Sequence, residues 1–94
     1  MNKQAKHKEI CDKLTQIYID KNKAYGDSFG KTFQDLGIMS AITRMYDKFN
    51  RIASLAKGAE NNVKDEAIED TLVDLANYAI MTLIELEYSK NKHI

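Results

Sequence analysis

No proline interrupts this chain, and its four glycines, Gly26, Gly30, Gly37 and Gly58, all fall between segments whose apolar residues recur with a helical period. Glycine and proline are the strongest punctuators of local structure, so this arrangement favours long helices over strands. The spacing predicts a first helix over about 3–23, where Ile10, Leu14, Ile17 and Tyr18 share one face and lysines crowd the other. A second helix is expected over about 38–57. There Ile38, Met45 and Ile52 form one seven-residue series and Ile42, Phe49 and Ala56 another, together making a bundle seam that ends at Gly58 as a C′ glycine. A third covers about 64–89, with Ile68 at its start and Leu72, Leu75, Ala79, Leu83 and Leu86 as its main buried stripe. The expected fold class is all-α, one three-helix domain over 1–94. Its one substantial loop, about 24–37, is expected to be ordered, with room for one short helical turn near Lys31 to Leu36.

A chain of 94 residues buries only a modest fraction of its surface, so oligomerisation into a helical bundle is a natural remedy. Fourteen basic and fourteen acidic residues give a formal charge of zero, so no global field draws the chain to nucleic acid or to anionic lipid. Any affinity for phosphate must be local. A single cysteine, Cys11, excludes an intramolecular disulfide framework, and His7 and His93, near opposite ends, offer no zinc cluster. With no apolar run of about 18 residues to span a membrane and no apolar stretch in MNKQAKHKEI, a cytoplasmic protein is expected.

The most informative constellation lies on the third helix, where Glu66, Asp70, Asp74 and Asn77 stand at i, i+4, i+8 and i+11. At about 100° per residue they project within roughly 80° of one another and form one ridge. Asp74 and Asn77 are the unusual members, because LVDLANYAIM is otherwise apolar or aromatic and a carboxylate there needs a partner. Glu66, Asp70 and Asp74 offer the hard oxygen ligands that Mg²⁺ takes together with substrate phosphates; the competing reading is a solvated ridge, or one paired with a basic helix. On the second helix Arg44, Asp47, Lys48 and Arg51 share a face. Arg44 and Arg51 either bridge to the acidic ridge or grip phosphate oxygens, with Lys48 beside them. In KAYGDSFGKTF, Tyr25 is the best candidate to contact a base. Phe29 and Phe33 are more naturally anchors packed on the bundle, while Lys23 or Lys31 reaches a phosphate. GDSFGKT is one residue short of a phosphate-binding loop and follows no strand.

The segments KNKAYGDSF, ITRMYDKFNRIASL and DEAIEDTLVDLANYAIM, in that order, resemble the family called nucleotide modification associated domain 1, small proteins typical of phages and prophages. The resemblance runs from about Lys21 to Glu87 and implies a role near nucleotides without defining a reaction. A more distant likeness links EAIEDTLVDLANYAI to the all-α nucleoside triphosphate pyrophosphohydrolases, with Asp70 as the final aspartate of their ExxD helix. Ala67 stands where that motif places its glutamate, with Glu66 beside it, and the second helix carries no ExxE pair. Too few carboxylates remain for a metal pair. The expected function is therefore a nucleotide-binding protein without robust catalysis, sequestering or delivering a nucleotide through Tyr25, Arg44, Lys48, Arg51 and Asn77, and assembling with copies of itself. The alternatives are a Mg²⁺-dependent pyrophosphohydrolase using Glu66, Asp70 and Asp74, and a structural or adaptor oligomer in which the charged faces only define the assembly.

Overall fold

The computed structural model describes residues 1–58 and 62–91, with side chains for 1–58 and 66–91; His93 lies outside that set. It contains four helices, α1 (Lys3–Tyr25), α2 (Ser28–Leu36), α3 (Ile38–Lys57) and α4 (Asn62–Asn91), and no strand among the described residues. The all-α expectation holds. The three-helix count does not, because the segment read as a loop is mostly α2.

Local chemistry explains α2. The Asp27 carboxylate accepts a hydrogen bond from the Gly30 N–H at 3.2 Å and so caps the helix. Phe29 and Phe33, one turn apart, then point into the core and are buried. Gly30 is not a punctuation mark but part of the first turn, where a Cβ would overlap the capping carboxylate. A single residue, Gly37, turns the chain from α2 into α3 at φ 80°, a conformation that disfavours any side chain. Gly37→Ala is accordingly expected to destabilise the fold by about 1–2 kcal/mol, read as a lower urea midpoint with an unchanged slope. Gly58, by contrast, ends α3 in extended backbone at φ −93° rather than as a left-handed C′ glycine.

Helices α3 and α4 form an antiparallel hairpin, in which Lys48 meets Asp74 and Met45, Tyr78 and Met81 pack on the buried cluster of Phe29, Phe33 and Ala41. Three adjacent stripes organise both helices. Ala41, Met45, Lys48 and Ile52 of α3 and Thr71, Leu75, Tyr78 and Thr82 of α4 are buried or half-buried along the hairpin seam. One residue earlier on each helix, Arg44 of α3 and Asp74, Asn77 and Met81 of α4 lie on the side covered by α1 and α2. One residue later, Ile42, Tyr46 and Phe49 of α3 and Leu72, Ala79, Leu83 and Leu86 of α4 are exposed.

This corrects two expectations. The series Ile42, Phe49 and Ala56 is not buried within the chain, and of the stripe expected on α4 only Leu75 and Ile68 at its start are half-buried. Polar residues take the inward places instead, because each finds a partner. Thr71 and Thr82 donate to the carbonyls of Ala67 and Tyr78 at 2.6 Å, and buried Glu85 accepts from Gln34 of α2 at 2.9 Å. In α1 only Leu14 is buried; Ile17 and Tyr18 are half-buried and Ile10 is exposed. The radius of gyration is 15.3 Å, against about 12 Å for a compact domain of this length.

Candidate functional site

The C-terminal turns of α1, the start of α2 and one side of the α3–α4 hairpin enclose a cavity of about 380 Å³. That volume falls within the range of small-molecule sites. Its walls combine aromatic and charged side chains, among them Tyr18, Tyr25, Phe29, Lys21, Arg44 and Asp74. Each helix supplies them for a local reason. Gly26 closes α1 at φ 70°, with its N–H donating to the Asn22 carbonyl at 2.8 Å, so the chain turns sharply and leaves Tyr25 at the rim, largely exposed. The Asp27 cap then sets Phe29 against Tyr78 of α4, stacked at 5.7 Å between centroids.

Arg44 reaches in from α3 and lies over the Phe29 ring, its guanidinium carbon 5.5 Å from the centroid. No ion pair to a carboxylate engages Arg44 among the described residues. Its charge is held in place by an aromatic face, and its N–H fork is not committed to an acid.

Asp74 sits at the back, half-buried, with Lys21 of α1 at 3.3 Å from one oxygen and Lys48 of α3 at 3.2 Å from the other. This ion triad ties three helices together at the cavity. One helical turn further on, the Asn77 amide donates to the Leu14 carbonyl at 3.1 Å, joining α1 to α4 with a buried bond. Around the cavity, the three cations Lys21, Lys48 and Arg44 face the two carboxylates Asp27 and Asp74. Among the lining residues alone the cations Lys21 and Arg44 equal the carboxylates Asp27 and Asp74 in number, and Lys48 stands outside the lining on one Asp74 oxygen.

Of the residues singled out in the sequence, Tyr25, Arg44 and Asn77 line the cavity and Lys48 adjoins it through Asp74. Arg51 is exposed on α3, two turns from Arg44 and outside the lining. The acidic ridge is split: Glu66 and Asp70 are exposed, while Asp74 is engaged by two lysines. Among the described residues no group of three or more histidine, cysteine or acidic side chains is placed to hold a metal ion. As they stand, Glu66, Asp70 and Asp74 do not fit a shared Mg²⁺ site, since a carboxylate compensated by two ammonium groups is a poor cation ligand. Among the described residues the acidic ridge and the basic face meet through Lys48, not through either arginine.

Lys21, Asp27 and Tyr78 belong to the cavity but were not marked by the sequence pattern, and Phe29 serves both as core anchor and as wall. The i, i+4 pair formed by Lys21 and Tyr25, which shares a helix face, is the signal that placed Lys21 beside the best aromatic candidate.

Fold and cavity together define a small all-α protein with a charged, aromatic-walled pocket between its helices. The chain belongs to the nucleotide modification associated domain 1 family, whose model matches residues 21–86 and so spans every cavity residue named above except Tyr18. No curated protein and no solved structure matches it. No described helix is long and apolar enough to cross a membrane.

Proposed function

We propose that the cavity between α1, α2 and the α3–α4 hairpin binds a nucleotide, with the base against Tyr25 and the phosphates drawn to Arg44 and Lys21. The observation that carries this reading is the placement of Arg44, a guanidinium with no ion pair among the described residues, laid over an aromatic ring in the wall of a ligand-sized cavity. A guanidinium fork suits phosphate oxygens, and an aromatic face suits any base. Membership of a family named for association with nucleotide modification agrees with it.

Binding is favoured over turnover. Asp74 is compensated by two lysines and Asp27 caps α2, so neither carboxylate is free to activate water. A nucleotide held this way is sequestered or delivered. In the same reading Lys48 supports the site by holding Asp74, and Asn77 by fixing α1.

The test is a thermal-shift and mass-spectrometry screen against nucleoside mono-, di- and triphosphates, cyclic nucleotides and NAD-derived compounds, with and without Mg²⁺. A ligand at about 100 times its dissociation constant stabilises the folded state by about 2.7 kcal/mol. In a chain this short that raises the melting temperature by about 10 °C or more, and the ligand is recovered intact. No shift with any of these compounds sinks the reading.

Asp74→Asn separates binding from metal-dependent hydrolysis by the sign of its effect. If Lys21 attracts phosphate, removing the carboxylate that competes for it raises affinity several-fold without Mg²⁺, on the order of 1 kcal/mol. If Asp74 holds Mg²⁺, the same substitution lowers affinity, and only when Mg²⁺ is present. Isothermal titration of both proteins distinguishes the outcomes.

A further inference from the structure

The side of the α3–α4 hairpin opposite α1 and α2 is apolar and bare. Ile42, Tyr46 and Phe49 on α3 and Leu72, Leu83 and Leu86 on α4 expose between 37% and 66% of their surface. Their spacing is that of a second bundle seam, lying one residue beyond the seam that joins the two helices to each other. One residue turns a helix by about 100°, close to the right angle separating a helix's two neighbours in a square four-helix bundle. Because α3 and α4 run antiparallel, a step of one residue rotates both seams towards the same side of the hairpin. The chain is thus half of a four-helix bundle with its second interface uncovered.

We infer that this face pairs with the same face of a second copy, giving a two-fold symmetric four-helix bundle. Three observations select a second copy as the occupant. The face is continuous with the intrachain seam and repeats its register, which an identical hairpin matches by symmetry. Its two halves are complementary in size: Tyr46 and Phe49 on α3 are large, while Ala76 and Ala79 lie between Leu72 and Leu83 on α4, so α3 of one copy fits α4 of the other. With flanking Met39 and Ile80 the face presents eight large, exposed apolar side chains, a patch on the order of several hundred Å² and of the kind that marks a protein interface. The single chain also lacks a deep core, with no large side chain fully buried among the described residues. The nucleotide cavity lies on the other side of the hairpin and remains open, so this inference stands apart from the proposed function.

Sedimentation equilibrium of the full chain tests it. The expected mass is twice the 10.8 kDa of one chain, or an even multiple that Phe49→Glu and, separately, Leu83→Glu break down at this face. A two-fold interface meets each substitution twice, so the dissociation constant is expected to rise about a thousandfold. Both residues are exposed in the single chain, so helicity by circular dichroism is expected to persist in the monomeric variants. Should a variant lose its helices, the unsubstituted protein supplies the second readout, a melting temperature that rises with protein concentration. A monomer with concentration-independent melting overturns the inference, and that is also the result expected if some other protein covers the seam. An assembly indifferent to both substitutions overturns it equally.

Discussion

Phe29→Ala is expected to lower the free energy of unfolding by roughly 3–5 kcal/mol. The ring is 5% exposed, stacks on Tyr78, packs with Phe33 and Ala41, and lies under the Arg44 guanidinium. Truncation therefore removes transfer free energy, leaves a void at the junction of three helices, and takes away the aromatic platform of the cavity at once. A domain of this length has about 5–14 kcal/mol in total, so the variant loses a large share of its stability. Its urea midpoint should fall steeply, with the comparison made at one protein concentration because the inferred pairing of two copies would add to apparent stability. Phe29→Leu keeps most of the volume and is expected to recover much of the loss while still weakening the site. A Phe29→Ala protein as stable as the original would mean that α2 does not anchor on the hairpin.

That dependence on α2 bears on what could be read from the sequence. The helical period of the three long segments is strong, because each spans five turns or more and carries apolar residues at regular spacing. The short helix was harder to see. SFGKTFQDL holds two glycine-flanked turns with a glycine inside, and its helicity rests on one capping aspartate and two phenylalanines that find a core only in three dimensions.

Periodicity misplaces the buried face of α4 for a different reason. Its apolar residues are spread around the helix, so periodicity alone does not say which stripe faces the chain's own core and which faces outward. The inward stripe is the more polar one, since Thr71, Asn77, Thr82 and Glu85 are each bonded to a specific partner. Among the candidate site residues the same limit applies. Asp74 and Asn77 stood out because an acid and an amide in an apolar run need partners, and both have them. Glu66, Asp70 and Arg51 shared a helix face with site residues but lie beyond the reach of α1 and α2, and a helical wheel carries no information about where the covering helices stop.

On the proposed reading of the cavity, Arg44→Ala is expected to weaken nucleotide binding about a hundredfold while leaving the fold nearly intact. The asymmetry follows from how the residue is held. Toward the protein, Arg44 makes a cation–π contact with Phe29 and no ion pair among the described residues, so its loss removes about 1 kcal/mol or less of stability. Toward a bound phosphate it would supply charge-assisted hydrogen bonds in a partly enclosed site, and truncating such a partner typically costs about 2–5 kcal/mol. Titration calorimetry with the ligand found in the screen measures the first effect and thermal melting without ligand the second. Arg44→Lys should fall between, retaining the charge but losing the planar fork that spans two oxygens and stacks on the ring. If Arg44→Ala binds as tightly as the original protein, the phosphates do not sit at Arg44 and the cavity loses the group that gives it its character. If both arginine variants melt far below the original without ligand, Arg44 is a structural strut for α2, and Tyr25→Ala becomes the cleaner probe, since that ring is 77% exposed at the rim.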